Sequence, residues 1–118
     1  IRNALFAPFG LARSRLSSLV MPWVTYTDPE IAHVGLYETE AHARGIKTET
    51  IQIPFQEVDR ALTDSETNGF VKVLLRRGSD QILGATIVAR HAGEMMSEVT
   101  FAMMQKKGLK ALSQVIHP

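Results

Sequence analysis

The spacing of apolar and polar residues changes several times along the chain, and each change predicts a different kind of element. Residues 1–22 mix apolar and basic positions around Pro8, Gly10 and Pro22 with no sustained period, which reads as a connector from an upstream domain. After Pro22, Trp23-Val24-Thr25-Tyr26-Thr27 is rich in β-branched and aromatic residues and runs into Asp28-Pro29. That pattern predicts a strand ended by a turn, briefly resumed from Ile31 to Val34. Glu38 to Arg44 consists of good helix formers and stops at Gly45, a residue suited to the left-handed position beyond a helix end. A short helix is expected there.

From Thr48 to Phe55 the alternation has a period of two: Ile51, Ile53 and Phe55 fall on one side, Thr50, Gln52 and Pro54 on the other. This is a half-buried strand, and Pro54 sets its end near a sheet edge. Val58 to Leu62 suits one helical turn, and Thr63 to Gly69 a polar turn. Phe70 to Arg76 alternates again, with Val71, Val73 and Leu75 together; Arg77-Gly78-Ser79-Asp80 reverses the chain into a paired strand, Ile82 to Ala89. From Gly93 the period becomes helical, with Met95, Met96, Val99, Ala102 and Met103 recurring, Lys106 and Lys107 in the last turn and Gly108 as the stop. Leu109 to Ile116 predicts a second, shorter helix that delivers the chain to His117. Strands joined by hairpins and followed by helices imply an α+β fold, an antiparallel β-sheet packed with α-helices.

The chain has 118 residues, 45% hydrophobic and 21% charged, enough for one compact core and against a disordered composition. No apolar run approaches the length of a membrane span; Leu16 to Val24 is short and contains two serines and a proline. Thirteen Lys and Arg against twelve Asp and Glu leave a formal charge of +1, without the clustered positive field that nucleic acid requires. There is no cysteine, so this chain forms no disulfide, thiolate nucleophile or cysteine-ligated metal site, and redox chemistry must come from elsewhere. It opens on Ile1 without a leader pattern and stops at His117-Pro118 directly after a helical pattern. A fragment is the natural reading.

Candidate chemistry is sparse. His33 lies beside a strand, His42 on the short helix, His91 at a strand-to-helix junction and His117 at the terminus; no pair is spaced as a helical metal clamp. For the first three, a surface or hydrogen-bonded histidine is the expected role. No Gly-rich phosphate loop or nucleophile elbow is present. The Met95, Met96, Met103, Met104 stripe can serve the core with one face and a partner with another. His117 precedes proline, a linkage able to aim an imidazole in an unusual direction.

The segment Thr25-Tyr26-Thr27-Asp28-Pro29-Glu30-Ile31-Ala32-His33-Val34-Gly35, followed in order by Gly69-Phe70-Val71-Lys72-Val73, Ile82-Leu83-Gly84-Ala85, Ala92-Gly93-Glu94 and His117-Pro118, resembles the C-terminal dimerisation domain of the pyridine nucleotide-disulfide oxidoreductases. The family includes dihydrolipoamide dehydrogenase, glutathione reductase and mercuric reductase. The resemblance implies a dimerisation domain over residues 23–118, truncated at its C-terminus. It also implies a homodimer, upstream FAD and NAD(P) domains in the same chain, and a cytoplasmic flavoprotein disulfide reductase as parent. FAD and NAD(P)H would belong to that parent and neither to this fragment. His117 would be the catalytic acid/base delivered to the partner subunit's thiols, and the backbone of His117-Pro118 would approach the flavin. An imidazole, with a pKa near 6.5, suits proton exchange around neutrality.

Two departures matter. The family motif runs on to a glutamate that orients the imidazole, and this chain stops before it. Tyr37 stands where a Ser or Thr usually caps the helix after Gly35, so a frayed first turn is expected. The stretches at Val58 to Leu62 and Ala92-Gly93-Glu94 look closer to mercuric reductase-like members than to glutathione reductase, yet mercuric reductases generally replace the histidine of His-Pro and carry extra C-terminal cysteines, so mercury specificity does not follow. The reading from a different class is a freestanding α+β interaction or binding module without redox activity; an independent histidine-metal enzyme is the third.

Overall fold

The computed structural model describes residues 20–116. The expected connector, residues 1–22, therefore lies outside the described residues except for its last three, of which Val20 already packs against the core. Five strands follow: β1 (Trp23–Thr25), β2 (Glu30–Gly35), β3 (Thr48–Pro54), β4 (Phe70–Arg76) and β5 (Ile82–Ala89). They form one sheet in the order β1-β2-β5-β4-β3, with every neighbouring pair antiparallel. Helix α1 (Glu38–Ala43) links β2 to β3, and a 3-10 turn (Phe55–Glu57) with α2 (Asp59–Thr63) links β3 to β4. After β5 come the long α3 (Ala92–Met104) and the short α4 (Leu109–Leu112). This is the α+β, antiparallel architecture expected from the alternating patterns.

Period-two spacing puts Ala32, Val34, Ala85, Ile87, Val73 and Leu75 on one face of the sheet, where they bury against Met96 and Ala92 of α3. The opposite face carries a smaller cluster, Leu74 and Leu83 beneath Ala41 of α1, with Leu36 and Ile46 beside them. A bulge makes this division possible: Leu74 pairs with Gly84 but Leu75 with Ile82, leaving Leu83 as the extra residue. The slip sends Ile82 to the α3 face and Leu83 to the α1 face.

Where β2 meets β5, Gly35 lies opposite Gly84, and the Leu36 N–H donates to the Leu83 carbonyl at 2.9 Å. A methyl group on Gly84 would run into the Leu36 backbone, and one on Gly35 into the Leu83 carbonyl. Gly35 also has φ +81°, so the turn into α1 depends on a residue without a side chain.

Helix ends depart from the expected pattern in an instructive way. Gly45 takes the left-handed position after α1, with Ile46 N–H on the Ala41 carbonyl and Gly45 N–H on that of His42. After α3, however, the same double bond pattern uses Lys106: its φ is 53°, its N–H reaches Met103, and Lys107 N–H reaches Ala102 at 2.8 Å. Gly108 was the expected stop, yet it is extended at φ −94° and faces the Asp80 carboxylate too closely for a side chain. The expected helix from Leu109 to Ile116 is shorter, ending at Leu112. Nor is the first turn of α1 loose. Tyr37 has no oxygen near enough to its own backbone to act as a serine would, but its N–H donates to Glu40 Oε2 at 2.9 Å, which holds the turn from inside the helix.

Candidate functional site

His117 and Pro118 lie outside the described residues; what the structure places is the path toward them. Leu109 N–H donates to the Asp80 carbonyl at 2.8 Å and Gly108 bridges Gln81, so α4 is tied to the β4–β5 turn. Leu109 and Leu112 pack against the core, whereas Val115 and Ile116 are 48% and 94% exposed. The chain thus leaves the core before reaching His117.

Helix α3 divides the methionine stripe. Met96 is buried and Met103 packs on the core, while Met95 and Met104 are exposed. Phe101, one turn before Met104, is 64% exposed, more than a phenyl ring held by its own domain would be. The helix therefore serves the sheet with one side and offers apolar side chains on another. Its N-terminus is capped from a distance. His91 sits at the cap position without a side-chain bond, and Glu30, from the start of β2, accepts from the Gly93 N–H at 3.1 Å. Two separated pieces of the sequence motif, Asp28-Pro29-Glu30 and Ala92-Gly93-Glu94, are joined by that bond.

On the α1 face, Trp23, His33, Thr86 and Lys72 occupy one row across β1, β2, β5 and β4. His33 is 3% exposed. Its Nε2 lies 3.2 Å from the Gly35 carbonyl, which only accepts, so Nε2 carries the proton and Nδ1 accepts from Thr86 Oγ1 at 2.9 Å. Tyr37 stacks on the imidazole with ring centroids 3.8 Å apart and planes within 2°, and Trp23 closes another side at 6.0 Å. Burial pushes the His33 pKa below its ordinary 6.5, against smaller opposing pulls from the Gly35 carbonyl and Glu40. Next in the row, Lys72 Nζ pairs with Glu38 Oε2 at 3.1 Å and holds that carboxyl below its usual range; Thr50 donates to its other oxygen.

His33 is thus the hydrogen-bonded histidine expected, though its aromatic covering was not foreseen; the available signal was Ala32-His33-Val34, three consecutive buried residues in a strand. His42 stands in the last turn of α1 and His91 at the β5–α3 junction. His91 borders a cleft of about 700 Å³ floored by Phe55, Val58, Ala61 and Met95. The rim arginines are engaged, Arg60 with Asp64 and Arg90 with Glu66. Among the described residues no group of three or more His, Asp or Glu can hold a metal ion, and no helix is long and apolar enough to cross a membrane. At the β5–α3 junction the Gly93 N–H, which an anion at this helix end would meet, is bonded to the Glu30 carboxylate.

Comparison with known proteins accounts for this combination. Mercuric reductase of Shigella flexneri is 36% identical over 103 residues, covering 87% of this chain and 18% of the relative. Dihydrolipoyl dehydrogenase of Cupriavidus necator is 41% identical over 98 residues, covering 83% and 21%. The chain therefore spans about a fifth of the curated relatives it matches. Among solved structures, the HOCl-induced flavoprotein disulfide reductase RclA of Escherichia coli superposes with a TM-score of 0.86 at 20% identity, over 99% of this chain and 27% of that one. LpdA of Mycobacterium tuberculosis gives 0.81 at 27% identity, over 99% and 26%. The sequence profile of the pyridine nucleotide-disulphide oxidoreductase dimerisation domain matches residues 21–118, and the chain belongs to that family.

Proposed function

We propose that this chain pairs two copies of an FAD-dependent, NAD(P)H-linked disulfide reductase and brings a histidine from each copy to the other's reaction centre. The flavin and nucleotide domains, and the reactive thiols, belong to the rest of such an enzyme, with residues 1–22 leading in from them. The observation that carries the pairing is the uncovered apolar side of α3, where Phe101 and Met104 lie one turn apart at 64% and 55% exposure in a domain whose family is defined by dimerisation. The exposed departure of Val115 and Ile116 from the core supports a His117 that serves a neighbour rather than its own fold. There His117 would take a proton from an attacking thiol and return it to the leaving one.

Sedimentation equilibrium of the 118-residue chain is expected to show a dimer, and Phe101→Glu to weaken it by at least about 30-fold, as removal of a central aromatic anchor does. A monomer at high concentration, or a dimer indifferent to Phe101→Glu, overturns the pairing. In the intact parent enzyme, His117→Gln is expected to lower turnover by roughly 10²–10⁴-fold with the dimer unchanged. Undiminished turnover removes the acid/base role.

A further inference from the structure

We propose that the end of the sheet carrying the β4–β5 turn is a docking site for an acidic segment of a partner protein. The near-neutral total charge hides an uneven distribution. On one side of the turn Arg44 closes α1 and Lys47 leads into β3, and Arg76 and Arg77 open the turn itself. On the other side Lys106, Lys107 and Lys110 run from the end of α3 into α4. All of these positions are exposed. Three separated stretches of sequence supply them, so only the fold brings them together.

The other cations of the described residues are matched. Arg60 pairs with Asp64, Arg90 with Glu66 and, in mid-sheet, Lys72 with Glu38. Around the turn no cation forms an ion pair among the described residues, and Arg76 has only a neutral partner, Gln81, at 2.8 Å. The opposite end of the sheet carries Asp28, Glu57, Asp59 and Glu94 instead. The field of the domain therefore points an acidic partner toward the turn.

The charges are also held in place. Arg77 N–H donates to the Lys47 carbonyl at 3.0 Å, Leu109 N–H to the Asp80 carbonyl at 2.8 Å, and Gln81 bridges Gly108, so backbone bonds tie the turn to both flanking groups. Such a platform loses little freedom when a partner binds. Beside it lies a recess of about 360 Å³ lined by His42, Lys47 and Arg77 with no acid in its wall, and across the turn another of about 500 Å³ beside Lys106 and Lys107. Carboxylate side chains can enter both and take charge-assisted hydrogen bonds there. Nothing overhangs Gly45 or Gly78, so a partner backbone can come close.

A polypeptide suits this surface better than a duplex or a bilayer. Asp80 faces Gly108 amid the lysines, and Glu49 stands on β3 beside Thr48, the partner of Arg76. A duplex carries one negative charge per ~1.7 Å and would set phosphates against these two acids. An anionic bilayer has the same unbroken charge, whereas a peptide can space its carboxylates around them.

A fluorescein-labelled peptide of alternating Glu and Ser, titrated with the 118-residue chain and followed by anisotropy, tests this. At about 20 mM salt we expect saturable binding that weakens steadily as salt rises to about 0.2 M. Lys47→Gln/Arg77→Gln and, separately, Lys107→Gln/Lys110→Gln should each weaken it at least about fivefold. Arg60→Gln/Arg90→Gln removes the same charge from the far end and should change it by less than about twofold. Circular dichroism checks each fold, and if one of the first two pairs unfolds the other decides. Failure to saturate at about 1 mM chain, no loss in the first two pairs, or an equal loss in all three overturns the proposal. So does binding of a short DNA duplex or of phosphatidylglycerol vesicles at least about tenfold tighter than the peptide, which assigns the patch to a phosphate surface.

Discussion

Replacing Glu30 by alanine removes the carboxylate that accepts the Gly93 N–H at 3.1 Å and leaves α3, a 13-residue helix, without a side-chain partner at its N-terminus. Two effects add. Loss of a capping acceptor typically costs about 1 kcal/mol, and loss of a negative charge beside the first turn another 0.3–1 kcal/mol or so. Because the bond is partly buried and His91 offers no substitute, the sum should approach about 1.5 kcal/mol. For a domain of this size that corresponds to a fall of roughly 5–10 °C in Tm. Glu30→Gln retains an acceptor without the charge and should lie between the two. Calorimetry or urea melts followed by circular dichroism give the values, all at one protein concentration because self-association would couple to stability. A Glu30→Ala variant within about 0.3 kcal/mol of the parent, well below any capping cost, would show that α3 is held by its packing alone.

Lys106→Gly should stabilise the domain by about 1 kcal/mol in urea melts, since Lys106 occupies a left-handed position at φ 53° that costs an L-residue about that much. Met96→Ala should destabilise it by about 2–5 kcal/mol, because Met96 is 1% exposed at the centre of the contact between α3 and the sheet. The folded-state pKa of Glu38 is depressed, so its contribution to stability is present above the unfolded value of about 4.5 and lost as pH falls through the folded value. Carboxyl NMR should place its midpoint below 4.5, and Lys72→Met should move it upward.

The hairpin of β4 and β5 was legible because Val71, Val73 and Leu75 repeat every second residue and Gly78 sits in the reversal. Each face of that signal is local. What remained hidden depends on residues distant in the chain. Ile82 and Leu83 part to opposite faces only because the pairing with Leu74 and Leu75 slips, which no single strand reveals. The stop of α3 at Lys106 rather than Gly108 follows from the Asp80 side chain crowding Gly108 and from Leu109 bonding back to Asp80. Propensity favours the glycine, but tertiary contact places it elsewhere. Likewise Tyr37 looked like a poor cap; its ring is committed to His33, a contact no helix rule anticipates. For His117 the sequence supplied a role through resemblance, and its place falls outside the described residues.

The strand order also bears on how the chain assembles. β4 and β5 meet across a tight reversal, and β3 joins β4 across a short helical connection, whereas β2 reaches β5 only after α1, β3, α2 and β4 have been made. Closing that long loop costs entropy before any contact rewards it, so the β3–β4–β5 unit is the expected folding nucleus and the β1–β2 margin the last part to dock. Mutations such as Val73→Ala should then slow folding, while Ala32→Gly should chiefly speed unfolding.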